Sequence, residues 1–195
     1  YDQLILWGGT RCEGDEALAP EHWSIGAGLQ VSSADRWGSE ANLHFASSVE
    51  LRRGTFMILG GSLRRDGVLQ TPNRENSFYY LASSQSHVRA PMLPEGTQNL
   101  LGSAVRLSGG RRAMIAGGFA DPGLNTPREG YSIFEDEGER FMQAQQLPGM
   151  SGSINLAAAG QNQAILFGGA KACSGCDGGL ELLSGAAVYA SAEDH

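Results

Sequence analysis

Four times along the chain a short apolar run closes on two glycines: Leu4-Ile5-Leu6-Trp7-Gly8-Gly9, Phe56-Met57-Ile58-Leu59-Gly60-Gly61, Ala113-Met114-Ile115-Ala116-Gly117-Gly118 and Ala164-Ile165-Leu166-Phe167-Gly168-Gly169. The pairs begin 52, 57 and 51 residues apart. That spacing holds four short strands with their turns, and it is longer than a leucine-rich, ankyrin or tetratricopeptide unit. Ahead of the last three runs stand Ser48-Val49-Glu50-Leu51, Ala104-Val105-Arg106-Leu107 and Ile154-Asn155-Leu156-Ala157, each followed by a polar turn. Such a pair of runs around a turn reads as a hairpin. Behind the glycines, after a variable polar loop, come the aromatic runs Phe78-Tyr79-Tyr80-Leu81, Tyr131-Ser132-Ile133-Phe134 and Ala187-Val188-Tyr189, with Trp23-Ser24-Ile25 as the first member. Two units then reach a Leu-Pro stop, at Ala90-Pro91-Met92-Leu93-Pro94 and at Gln143 to Pro148. Proline cannot donate to a ladder, so these stretches suit an edge strand.

Each unit is therefore expected to be four antiparallel strands, with units at about 1–43, 44–97, 98–150 and 151–195 of a single domain spanning 1–195. The second strand is apolar throughout, as a strand covered on both faces must be. Gly8, Gly9, Gly60, Gly61, Gly117, Gly118, Gly168 and Gly169 are expected to be structural, permitting positive φ and close approach of neighbouring backbone. This arrangement resembles the kelch repeat family, whose units carry an apolar strand ending in Gly-Gly, an aromatic strand and then a strand bearing tryptophan. Trp37 takes that last place in the first unit, and Met142 or Phe141 in the third. The resemblance implies an all-β fold, a kelch-like β-propeller of about four four-stranded blades with each first strand innermost. The chain enters at a second strand and leaves after a third, so its ends overlap instead of completing one blade. The expectation is thus a contiguous part of a six- or seven-bladed propeller, completed by further blades from the rest of the parent chain or from a second chain. A compact four-bladed closure is the alternative.

Composition narrows the function. Glycine fills 28 of 195 positions without a three-residue period, which excludes collagen. Helix-forming charged heptads are absent, which excludes a coiled coil. Fourteen basic against 21 acidic side chains leave a net charge of -7, so nucleic acid is a poor partner. No apolar run approaches the length of a membrane-spanning helix. The chain starts at Tyr1 with no signal region ahead, so a trimmed or processed chain is expected. Thirteen of the fourteen basic residues are arginine, which fits a GC-rich bacterial genome.

Function in such folds sits on loops held by a rigid scaffold. The loops between second and third strands carry Arg11, Asp15, Arg64, Arg65, Arg74, Asp121 and Arg128, and forked arginine donors mixed with carboxylates suit a protein surface or a sugar. Cys173-Ser174-Gly175-Cys176 has the spacing of a local disulfide stapling a loop in an exported protein. A zinc site recruiting Cys12 and one of His22, His44 or His87, or a bond from Cys12 in a four-bladed ring, are the other readings. No metal, cofactor or catalytic set is expected: the four histidines lack metal-binding spacing, and no nucleophile elbow, phosphate loop or metalloprotease helix occurs. The expected function is a non-enzymatic module recognising a protein or glycan through its loop face, outside the bacterial cytoplasm: extracellular, at the cell surface or periplasmic. The alternatives are a propeller enzyme of the galactose oxidase or sugar epimerase type, and a structural spacer in a large surface protein.

Overall fold

The computed structural model describes residues 2–6, 21–25, 31–36, 43–65, 68–84, 86–107, 111–147, 149–160, 162–173, 175 and 180–190. Gly8 and Gly9 lie outside them. Every regular element among the described residues is a β-strand, and every pairing is antiparallel. The first sheet joins β1 (Asp2–Leu6), β2 (Glu21–Ile25) and β3 (Val31–Arg36) in that order. The second joins β4 (His44–Arg52), β5 (Thr55–Ser62), β8 (Ser77–Leu81) and β9 (Ser86–Arg89), with a separate hairpin of β6 (Arg64–Arg65) and β7 (Val68–Leu69) between β5 and β8. In the third, β10 (Ser103–Leu107), β11 (Arg112–Ala116) and β12 (Gly130–Glu135) carry two short edge pieces, β13 (Arg140–Phe141) and β14 (Gln145–Gln146). The fourth consists of β15 (Ile154–Ala158), β16 (Gln163–Gly168) and β19 (Ala186–Ala190), with a hairpin of β17 (Ala170–Ala172) and β18 (Leu180–Leu182) between the last two.

Two edge strands differ from the sequence reading. In the second sheet the fourth strand is Ser86–Arg89, ahead of the proline stretch, because Pro91 and Pro94 have no N–H to offer β8. Leu93 is instead fully buried and tied to Arg74, donating its N–H to the Arg74 carbonyl at 2.9 Å. In the third sheet the edge is broken between β13 and β14, and the gap is bridged by Met142, whose N–H donates to Ile133 at 2.8 Å and whose carbonyl accepts from the Ser132 hydroxyl at 2.7 Å.

The second, third and fourth sheets pack in chain order. Val49, Leu51, Met57 and Leu59 of the second sheet bury against Ala113, Ile115 and Phe134 of the third. The opposite face of the third, with Leu107, Met114, Ala116 and Ile133, buries against Ile154, Ala164 and Leu166 of the fourth. The middle strands β5 and β11 are thus covered on both sides, which is why they are apolar at successive positions instead of alternating. A third cluster gathers Leu43, Ile58, Phe78 and Tyr80 on the other face of the second sheet.

The same few hydrogen bonds stitch one sheet to the next. The Ser47 hydroxyl donates to the Gly102 carbonyl at 2.5 Å, and the Ser103 hydroxyl, at the equivalent position, donates to the Ile154 carbonyl. The strands β4, β10 and β15 therefore lie side by side. At the same end the second glycine of the pair also reaches across: Gly61 N–H donates to Asn99 O at 2.7 Å and Gly118 N–H to Gly152 O at 2.5 Å. Gly60 and Gly117 make this approach possible. Both have left-handed backbone, φ +68° and +67°. A Cβ on Gly60 would stand 2.6 Å from Asn99 O, and one on Gly117 would run into Gly152 O.

Tyr79 lies in the contact between the second and third sheets, edge-on to Phe134 at 6.2 Å, and its hydroxyl has no hydrogen-bond partner among the described residues. Burial, and then the Glu139 and Asp136 carboxylates, hold its proton far above the ordinary 10.0. A group whose pKa rises on folding contributes stability that is full below its unfolded pKa and is lost above it. Stability should accordingly fall as the pH climbs past about 10. Tyr79→Phe removes a buried hydroxyl that nothing satisfies, so it should leave stability at neutral pH unchanged or raise it by about 1 kcal/mol, and it should flatten the alkaline decline. Urea unfolding at pH 7 and at high pH reads both effects, and a loss well beyond 1 kcal/mol at pH 7 would reveal a hydrogen bond to that hydroxyl.

Candidate functional site

Asn99 sets the geometry of the Gly-Gly end. It is 2% exposed, its Nδ2 donates to Gly117 O at 2.7 Å, and its side chain fills the space left by the missing Cβ atoms of Gly60 and Gly118. Asn76 donates from Nδ2 to Gly61 O at 2.9 Å, and the Ser151 hydroxyl donates to Ala170 O at 3.1 Å. Because these bonds hold the glycine pairs of successive sheets together, the loops that follow β5, β11 and β16 leave the molecule at one end. All three begin as narrow antiparallel ribbons: β6 with β7, Phe119 bridged to Pro127, and β17 with β18.

The sequence-predicted ligand residues divide into three groups. Arg11 and Asp15 lie outside the described residues. Arg74 and Asp121 are occupied by hydrogen bonds to backbone groups of the chain itself. The Arg74 Nε donates to Leu93 O at 2.7 Å. Asp121 accepts from the Thr126 N–H at 2.7 Å and the Asn125 N–H at 3.3 Å, closing a tight turn. Burial pushes that carboxyl up, but the hydrogen bonds from Thr126, Asn125 and Gly123 outweigh it and hold it below the usual carboxylate value. Arg64 and Arg65 sit on the β6–β7 ribbon, where Arg65 is exposed. Arg128 is half-buried at the root of the second loop, where its backbone bonds Gly118 and Gly152. Its Nε is buried and has no acceptor among the described residues. No ion pair among the described residues joins Arg65, Arg74, Asp121 and Arg128 to one another.

Two apolar side chains on these ribbons, Val68 on β7 and Leu182 on β18, are exposed. Sequence reasoning passed over them because two- and three-residue strands inside polar loops give no periodic signal. On the third ribbon Lys171 pairs with Glu181, at 3.1 Å, directly across the two strands. Cys173 follows this ribbon half-buried, while Cys12 and Cys176 lie outside the described residues.

Charges also gather at the opposite end of the sheets. Glu135 accepts from Arg140 Nε and Nη2 at 3.1 and 3.0 Å and lies 3.5 Å from Arg112, its cross-strand partner. Arg52 of the second sheet reaches Asp136 of the third at 3.8 Å, and Arg111 pairs with Glu137. These charges pair with one another around the turns at that end. Surface pairs of this kind contribute little stability each.

Among the described residues no group of three His, Cys, Asp or Glu side chains could hold a metal ion, and no helix is long and apolar enough to cross a membrane. Tyrosines pack in the contacts between sheets: Tyr131 meets Tyr189 edge-on at 5.8 Å and donates to Gln145 Oε1 at 2.5 Å, and Tyr79 meets Phe134. His87 is stacked edge-on to Phe78 at 6.0 Å.

Strand pairing and packing thus define an all-β protein built from antiparallel sheets. No family model matches the chain, and no curated protein is similar to it in sequence. Among solved structures it is similar in fold to YjhT, with a TM-score of 0.64 at 11% identity. The match covers 86% of this chain and 54% of that one, so the chain spans about half the length of this structural neighbour.

Proposed function

We propose that this protein is a kelch-like β-propeller, or part of one, and that it binds a protein or glycan ligand through the Gly-Gly end of its sheets. What supports the propeller reading is the stitching repeated between successive sheets, with their first strands adjacent and their loops leaving at one end. The observation that carries the binding reading is Arg128: a half-buried guanidinium whose Nε has no acceptor among the described residues, beside loops that also present Arg65, Val68 and Leu182. A buried donor without an acceptor costs free energy that a carboxylate or a sugar oxygen from a ligand recovers, and a guanidinium suits both. The mixed apolar and basic surface fits a contact where packing supplies area and arginine supplies specificity.

The location goes with this reading: a bacterial protein acting outside the cytoplasm, as a periplasmic, cell-surface or extracellular module. A disulfide between Cys173 and Cys176 stapling the third loop belongs to this reading, with a bond from Cys12 as its alternative. The competing readings are a propeller enzyme with an axial pocket and a spacer in a larger surface protein.

The test is binding to printed glycan and protein arrays by wild type, by Arg128→Ala and by Arg111→Ala, the last altering the opposite end. Captured ligands should bind Arg128→Ala at least tenfold more weakly and Arg111→Ala unchanged. Equal loss in both variants, or no ligand on either array together with stoichiometric copper or zinc in the purified protein, would contradict the reading.

A further inference from the structure

Among the described residues, five that are not glycine take the left-handed backbone: Phe45, Leu101, Leu124, Glu139 and Asn162. Turns account for three of them. Leu124 and Glu139 donate their N–H groups to the carbonyls of Asp121 and Asp136 three residues back, and Asn162 stands in the hairpin between β15 and β16. Phe45 and Leu101 are different. Phe45, at φ +60°, lies inside β4, between His44 and Ala46, which pair with Ser62 and Gly60. Leu101, at φ +54°, stands two places before β10. The Phe45 carbonyl accepts the Leu101 N–H at 3.0 Å, so the two residues stand side by side where the second sheet meets the third. Glycine would hold such a conformation without strain, as Gly152 does at φ +67° ahead of β15. A bulky side chain there costs free energy, and burial does not repay it: Phe45 is 47% exposed and belongs to none of the buried clusters. Its ring lies 6.2 Å from that of the buried His44, tilted by 51°.

Both residues stand at the Gly-Gly end. Phe45 falls between the partners of Gly60 and Ser62, at the foot of the ribbon of β6 and β7, and Leu100, next to Leu101, is bridged to Phe119 at the foot of the second ribbon. Arg65 on the first ribbon is exposed, and Arg128 at the root of the second keeps an Nε with no acceptor among the described residues. Backbone strain that packing does not repay gathers at positions that serve a ligand. One aromatic ring buries at most about 250 Å². A protein partner covers roughly 800 Å² on each side, so this spot suits a ligand the size of a single ring. A sugar ring fits it, with C–H groups on its face for Phe45 and hydroxyls on its rim for guanidinium donors. A nucleobase would bring phosphates to a chain of net charge -7.

We infer that Phe45, with Leu101 beside it, is the platform on which a sugar ring of a glycan ligand stacks. This rests on the binding reading above and narrows it to the glycan.

The test pairs binding on a printed glycan array with thermal unfolding, for wild type, Phe45→Gly and Phe45→Tyr. Phe45→Gly relieves the left-handed strain, so it should melt at or above the wild-type temperature, while the glycans that wild type captures should bind it at least tenfold more weakly. Phe45→Tyr keeps the ring and should bind within about threefold of wild type. A glycine variant that melts below wild type overturns the inference, because Phe45 is then held for the fold. A glycine variant that binds glycans as wild type does overturns it too, and the binding reading still stands if Arg128→Ala weakens capture. Capture of proteins and of no glycan by wild type removes the sugar and leaves the binding reading in place. Capture of neither removes both.

Discussion

Replacing Gly117 by valine is expected to destabilise the protein by about 3 to 5 kcal/mol, combining left-handed strain at a β-branched residue with a clash in a packed contact. The backbone there has φ +67°, and the first atoms a new side chain meets are the Gly152 carbonyl and, at 3.1 Å, Ile154 Cγ1. Neither can retreat cheaply: the Gly152 carbonyl accepts the Gly118 N–H, and Ile154 is fully buried between the third and fourth sheets. An ordinary glycine in a strand would cost about 1 kcal/mol on substitution. Urea denaturation of wild type and variant distinguishes the two, and a change of only a few tenths would mean that the glycine pair does not hold the sheets together. Because domains of this size are stable by only about 5 to 15 kcal/mol, Gly117→Val should also lower the yield of folded protein.

The second large effect is expected at Asn99. Asn99→Asp keeps the shape and removes the donor, setting a carboxylate oxygen against the Gly117 carbonyl in a site that is 2% exposed. A buried carboxylate with no donor opposite it is worse than an empty place, so the loss should reach about 3 kcal/mol at neutral pH. Protonating the carboxyl restores a donor, so the deficit should shrink as the pH falls below the carboxylate range. Asn99→Ala should cost somewhat less, about 2 kcal/mol, because it leaves the carbonyl unpaired without adding a charge. Thermal unfolding of the three proteins at neutral and at acid pH gives the ordering. An Asp variant as stable as wild type at neutral pH would show that the Asn99 amide is not the link between Gly117 and the third sheet's first strand.

How far these contacts are readable in the sequence depends on their range. The strands were legible because Met57-Ile58-Leu59 and Met114-Ile115-Ala116 are apolar without interruption, a pattern that requires cover on both faces, and because the paired glycines mark the same end each time. Asn99 was not legible. It is one polar residue in a turn, and its meaning comes from Gly60, Gly117 and Gly118, which only the packed sheets bring to it. The charged loop residues were found as a class and could not be sorted within it: nothing local distinguishes Arg74, bonded to a carbonyl 19 residues away, from Arg65, which is exposed. The misplaced edge strand has the same origin, since Leu93 is anchored by that distant arginine and by burial, and not by a ladder.

The account rests on hydrogen bonds that run between sheets, and amide hydrogen exchange reads them one residue at a time. Gly61 and Gly118 should exchange as slowly as Met57 and Met114 in the centres of their strands, because their N–H groups are held by Asn99 and Gly152 of the neighbouring sheet. Exchange of both glycines at the rate of open loops, with the strand centres still protected, would show separate sheets that are not stitched into one array.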